Sequence, residues 1–232
     1  MAFAHVVSLA ECLGQNGGTS SGINTSGADI LFLVAMCDIT TAPTVSDSNS
    51  NTWTEIRNHD NGFGRVIRLY RSAAGSTVVG SGHTFTVSLT NGVIGFAVSA
   101  FSGAASSSID DQENSNGAIF SSTLAPGSIT PSENDTVVIT GVGCSDSGSD
   151  PSSINGSFTI GAHVASDAGA TGFGCGIAYL IQTTAAAANP TWTISQSATH
   201  LAAAIANFKA AAGGGGSTVP VKMHDYRRRR AA

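Results

Sequence analysis

Charge is scarce in this chain. Only 11% of its 232 residues are Asp, Glu, Lys or Arg, under half of the roughly 25% common in globular domains. Helical bundles and coiled coils need charged outer faces, so that class is excluded. A disordered chain would be richer in charge and poorer in β-branched residues. Aromatics are few, at 6%. Long apolar runs are missing: the longest, Ile30 to Cys37, falls far short of the roughly 20 residues of a membrane-spanning helix. None of the four cysteines, Cys12, Cys37, Cys144 and Cys175, forms a CxxC pair, so zinc ribbons and thioredoxin-like motifs lack their signature. They are expected as buried free thiols. Met1 to Val7 shows no basic, then apolar, leader, and synthesis in a cytoplasm is the expectation.

What the chain has is glycine, 28 residues, and short segments with strand character. Thr84 to Leu89 is the clearest: Phe85, Val87 and Leu89 alternate with Thr and Ser, the pattern of a half-buried antiparallel strand. Asn-Gly pairs at Asn61-Gly62, Asn91-Gly92 and Asn155-Gly156 read as tight hairpin turns. A shift of 107 residues aligns Thr84–Ser88 with Thr191–Ser195, Phe101 with Phe208 and Cys37 with Cys144. That common offset marks a degenerate duplication. It also settles His200–Phe208: its Ala content suggests helix, but its counterpart Val93–Phe101 carries β-branched residues and Gly and reads as strand. The expected fold is all-β, a jelly-roll-like antiparallel β-sandwich over residues 1–212. Two pseudo-repeats cover about 27–105 and 134–212.

The C-terminus is different material. Residues 213–218 form a Gly-rich linker, and 219–232 form a basic extended arm. The body to Ala212 has five basic and fourteen acidic side chains, a net of −9; the arm has five basic against one acidic, a net of +4. Arg227, Arg228, Arg229 and Arg230 cannot enter a core and call for an acidic partner. Val219, Val221, Lys222, Met223 and Tyr226 add apolar and basic groups suited to docking along a sheet edge.

Motifs for chemistry are nearly absent. No HExxH, Walker loop or dinucleotide fingerprint occurs, and Gly143-Cys144-Ser145-Asp146-Ser147 fails the last position of a nucleophile elbow. Asp110, Asp111 and Glu113 sit in a Ser/Asn/Gly stretch read as a solvated loop rather than a glycosidase pair. Asp47, Asn49 and Asn51 open like a calcium loop, but Thr52 stands where such a loop needs Gly. An Asx-rich turn leading to Trp53 is the competing reading. Trp53 and Trp192 are expected in the core, with a sugar-stacking role requiring exposed rings.

Gly27–Val34, Val45–Trp53, Arg68–Tyr70 and Ala73–Thr77 together resemble the β-sandwich structural proteins of tailed-bacteriophage virions, of the head-decoration, minor tail and fibre-associated kinds. The resemblance spans roughly residues 27 to 105. It implies a non-enzymatic virion component without cofactor, whose partners are copies of itself or an acidic virion protein. A glycan- or receptor-binding module and an arm that binds nucleic acid are the alternatives.

Overall fold

The computed structural model describes residues 2–38, 40–167 and 173–211, with backbone only at residue 12 and residues 106–112. Twelve strands and no helix make up these residues: β1 (Ala4–Thr19), β2 (Ile30–Cys37), β3 (Thr44–Asp47), β4 (Trp53–Asp60), β5 (Val66–Ser72), β6 (Phe85–Ser102), β7 (Ala104–Leu124), β8 (Thr136–Cys144), β9 (Pro151–Ile154), β10 (Thr159–Val164), β11 (Gly174–Gln182) and β12 (Trp192–Ala210). They form two antiparallel six-stranded sheets. The first runs β1-β6-β2-β5-β4, with β3 also on β6; the second runs β7-β12-β8-β11-β10, with β9 also on β12. Adding six to each label of the first sheet gives the second. The sandwich is therefore all-β as expected, and each sheet comes from one continuous half of the chain.

The central strands show how the sequence builds this. In β2, Ile30, Phe32, Val34 and Met36 point into a core between the sheets. The alternate residues Leu31, Leu33, Ala35 and Cys37 point into a second core on the other side. A strand covered on both faces reads as an unbroken apolar run rather than an alternation, which explains Ile30–Cys37. The second core is roofed by the same half of the chain. Asn91, at φ 58°, bends β6, so that Phe85, Val87 and Leu89 fold over Leu31, Leu33 and Phe96. Asn91-Gly92 is thus a bend inside one long strand, and not the hairpin turn expected. Its counterpart β12 skips register between Thr193 and Ala198, and Trp192, Ile194 and Leu201 close the equivalent core of the second half.

The halves meet about a pseudo-twofold axis. A Cβ on Gly141 would lie 2.4 Å from both γ carbons of Val34, and one on Gly143 2.4 Å from Met36 Cβ. Both pairs are 107 apart in sequence, so residues touch their own counterparts, and the axis runs along β2 and β8. Between the sheets Phe32 packs on Phe208 and Phe101, at ring separations of 4.4 and 5.8 Å.

A further expectation fails here, and another falls outside the described residues. Asp110, Asp111 and Glu113 lie within β7, not in a loop. β7 is an edge strand bonded only to β12, and an edge needs no apolar alternation on its open side. Met1, Ile39, residues 168–172 and the whole arm lie outside the described residues, including Val219, Val221, Lys222, Met223, Tyr226 and Arg227 to Arg230.

Candidate functional site

Three places gather polar or exposed groups. The first is the turn after β3. Asp47 Oδ1 accepts from Asn49 N at 2.8 Å and Asn51 Nδ2 at 3.2 Å, and Oδ2 accepts from Trp53 Nε1 at 2.7 Å. His83 Nε2 stands 3.1 Å from Oδ1, and His83 Nδ1 is 2.9 Å from Thr25 Oγ1. Asn51 Oδ1 in turn accepts from Val78 N at 2.6 Å. The three residues of the candidate calcium turn do come together, but as an Asx turn whose acceptors already hold protein donors. A cation there would have to displace at least three of them. Among the described residues no group of three or more His, Cys, Asp or Glu could hold a metal ion. Burial pushes the Asp47 pKa up, but the hydrogen bonds from His83, Trp53, Asn51 and Asn49 outweigh it and leave it below the usual range.

Thr25, His83 and Asp47 follow one another like a nucleophile, base and acid. Sequence reasoning missed this line, because nothing in a lone histidine of a turn points to a partner so far along the chain. The order is nevertheless structural. Thr25 and His83 are buried, the Asp47 side chain is enclosed, and Thr25 Oγ1 is already bonded by Gly80 N at 3.1 Å. The cluster pins the segment before β2, the β3 turn and the entry to β6 to one another. Trp53 uses its indole N–H in this cluster, and Trp192 is fully buried with Nε1 donating to Thr140 Oγ1 at 3.2 Å.

The second place is a cavity of about 320 Å³ between the halves, near the ends of β2 and β8, with Asp38, Arg65, Ser145, Asp146, Thr199 and His200 in its wall. Its polar groups are largely committed. Asp38 Oδ1 accepts from Val93 N at 2.7 Å, and Ser145 Oγ accepts from His200 N at 3.2 Å, the same bond repeated 107 residues later. Asp146 takes both the Thr199 amide and hydroxyl. Arg65 lies over the Phe173 ring, 5.4 Å from its centre. Burial, then the Arg65 charge, lower the His200 pKa against a smaller opposing effect of Asp146, so its ring is neutral at pH 7.

The third is a groove of about 370 Å³ between the β4–β5 turn and β7, lined by His59, Asp60, Phe63, Gly117, Ala118 and Ile119. Phe63 is 58% exposed, Ile119 44% and the adjoining Phe120 74%. The Phe63 ring rests 5.3 Å from His200. Gly117 lies where β7 crosses β4, and a Cβ there would meet His59 Nε2 at 2.8 Å and Asn61 Cβ at 2.9 Å and have to push them aside. Glu113 lies further along β7 and pairs with Arg57 at 3.4 Å, half-exposed. Nothing in the sequence flagged this groove, because its two walls are far apart in the chain.

Neither a known protein family nor a curated protein matches the chain. Among solved structures it is similar to a chain in the crystal structure of Cucumber Necrosis Virus, with 11% identity, 91% of this chain and 90% of that chain covered, and a TM-score of 0.27. A superposition that loose carries no argument about function.

Proposed function

We propose that this chain is a non-enzymatic structural component of a bacteriophage virion, which associates with copies of itself or decorates the head or tail, and whose basic arm docks on a neighbouring subunit. The observation that carries the reading is the uncovered apolar strip Phe63, Ile119 and Phe120 on a body otherwise rich in Ser and Thr and poor in charge. Large apolar side chains grouped at a surface mark a contact site. Bodies of net −9 repel one another, and the arm, at net +4, supplies the opposite sign that a contact between copies needs. The doubled, roofed sandwich suits a rigid building block, and the clusters that look chemical are either sealed or committed to backbone groups. The strand-and-turn resemblance over residues 27 to 105 supplies the virion assignment.

Sedimentation velocity and negative-stain microscopy of the full chain test this, together with its incorporation into particles when produced beside virion proteins. Oligomers or labelled particles are the expected result. A chain that stays monomeric at every concentration and joins no particle would overturn the proposal.

A further inference from the structure

We infer that the groove walled by Phe63 and Ile119 receives the segment Val219–Tyr226 of a second copy of this chain. The inference rests on the self-association proposed above and names the surface that does it.

The groove has an apolar wall made by Phe63 of one half and Ala118 and Ile119 of the other. Three of the four large hydrophobic side chains exposed among the described residues, Phe63, Ile119 and Phe120, stand on or beside it. Phe120 also holds φ at 48°, a left-handed conformation that costs a bulky side chain energy. Strained backbone beside an exposed apolar side chain is a feature of binding sites.

The arm has the matching pattern. Val219, Val221 and Met223 are spaced by two, so an extended chain turns all three to one face. Pro220 has no N–H and favours such a conformation at a sheet edge. Peptides of this kind are taken up along strand edges, with alternate side chains in apolar pockets. Asp60 borders the groove and Asp146 the adjoining cavity. They face the sign of charge that Lys222 and Arg227 to Arg230 would bring.

Reach favours the arm of a neighbour. Ala211 N donates to Gly103 O at 2.7 Å, so the arm departs where Ala210 pairs with Ala104, whereas the groove lies where His200 pairs with Ile119. Ten strand residues separate Ala210 from His200, about 33 Å at the rise of a strand. Val219 follows Ala211 by eight residues, at most about 29 Å when pulled straight and about 16 Å as a relaxed Gly-rich coil. Val219 therefore stops short of its own groove, and Val221, ten residues past Ala211, reaches it only when pulled straight, at about 36 Å, while the groove of a neighbour is open to the whole segment.

Two full-length variants test the pairing: a groove variant, Phe63→Ser with Phe120→Ser, and an arm variant, Val221→Asp with Met223→Asp. The substituted phenylalanines are exposed, so thermal melting should be near wild type and serves as the folding control. Each variant alone is expected to sediment as a monomer, its self-association weakened at least about tenfold. An equimolar mixture should form one-to-one dimers, because one variant keeps the arm and the other the groove. If the groove variant assembles like wild type while the arm variant does not, the arm docks elsewhere. If neither variant changes assembly, the arm is not the link. If both are monomeric and the mixture stays so, arm and groove do not meet. Each of these outcomes overturns the inference and leaves self-association standing. A wild-type chain that never associates overturns both.

Discussion

The pseudo-axis between β2 and β8 sets a sharp test of how the halves fit. Val34 faces Gly141, and any Cβ added at 141 would sit 2.4 Å from each Val34 γ carbon, more than 1 Å inside ordinary contact. Gly141→Ala alone should overpack, at about 1–3 kcal/mol, less about 0.4–1 kcal/mol for the stiffer unfolded chain. A net loss of about 1–2 kcal/mol remains. Val34→Ala alone removes two buried methyl groups and leaves a void, at about 1–3 kcal/mol. Independent sites would lose the sum. Here the γ carbons removed at 34 occupy the space that the new Cβ at 141 requires, so the double variant should lose about 1 kcal/mol or less. That is a coupling of about 2 kcal/mol, within the range for residues in contact. Urea denaturation of the four proteins measures it. For a chain of this size each single variant should also melt about 2–8 °C lower. Losses that add to within about 0.5 kcal/mol, or a neutral Gly141→Ala, would refute the large-against-small account of the axis.

Other consequences are quicker to check. The Asp47 pKa is lowered in the folded chain, so its stabilisation is present above the unfolded value and lost as pH falls through the folded one. The melting temperature should drop more steeply below about pH 4 for wild type than for Asp47→Asn, and parallel curves would contradict this. Burial pushes the Cys37 thiol up to about 12 and Cys175 well above its usual value. Peptide mapping should therefore find the buried Cys37, Cys144 and Cys175 unmodified by a thiol reagent at pH 8 until denaturant is added. Calcium should leave the melting temperature unchanged, since the Asp47 acceptors hold protein donors; a rise reversed by chelator would restore the calcium turn. Arg57→Ala should cost at most about 0.5 kcal/mol, because its partner Glu113 is half-exposed.

Much of this fold was legible because burial leaves a mark on sequence. Phe85, Val87 and Leu89 alternate because only one face of that part of β6 is covered. Ile30–Cys37 does not alternate because both faces are. The 107-residue offset turned Ala202–Ala206 from an apparent helix into a strand, and β12 bears this out. Other features left no local trace. β7 is an open edge whose polar residues need no pattern. Asn91-Gly92 has hairpin chemistry, but neighbouring strands use it to bend one strand over its own core. The Asp47 turn looked like a cation site because its partner His83 arrives from a distant segment. The groove is made by Phe63 and Ile119, which only the packing of β4 against β7 brings together.

The doubling also constrains what the arm can build. Along the axis the chain sets Val34 on Gly141 and Met36 on Gly143, a large side chain of one half against a glycine of the other. That difference between the halves removes the exact symmetry that would give an assembly unit two equivalent faces. One chain carries a single arm, leaving beside Gly103, and the Phe63–Ile119 groove at the far end of the β7–β12 pair. A donor at one end and an acceptor at the other make a head-to-tail contact, which closes into a ring or runs on as a filament. The exception is two chains that exchange arms reciprocally. Sedimentation separates these cases: reciprocal exchange stops at two chains, a ring at a fixed larger number, and a filament grows with concentration. In a ring or a filament the arm variant adds to only one end of an assembly and should act as a chain terminator when mixed in trace amounts with wild type, whereas a reciprocal pair keeps its size of two. Wild-type oligomers larger than two whose size distribution ignores that variant would show that the arm does not join them.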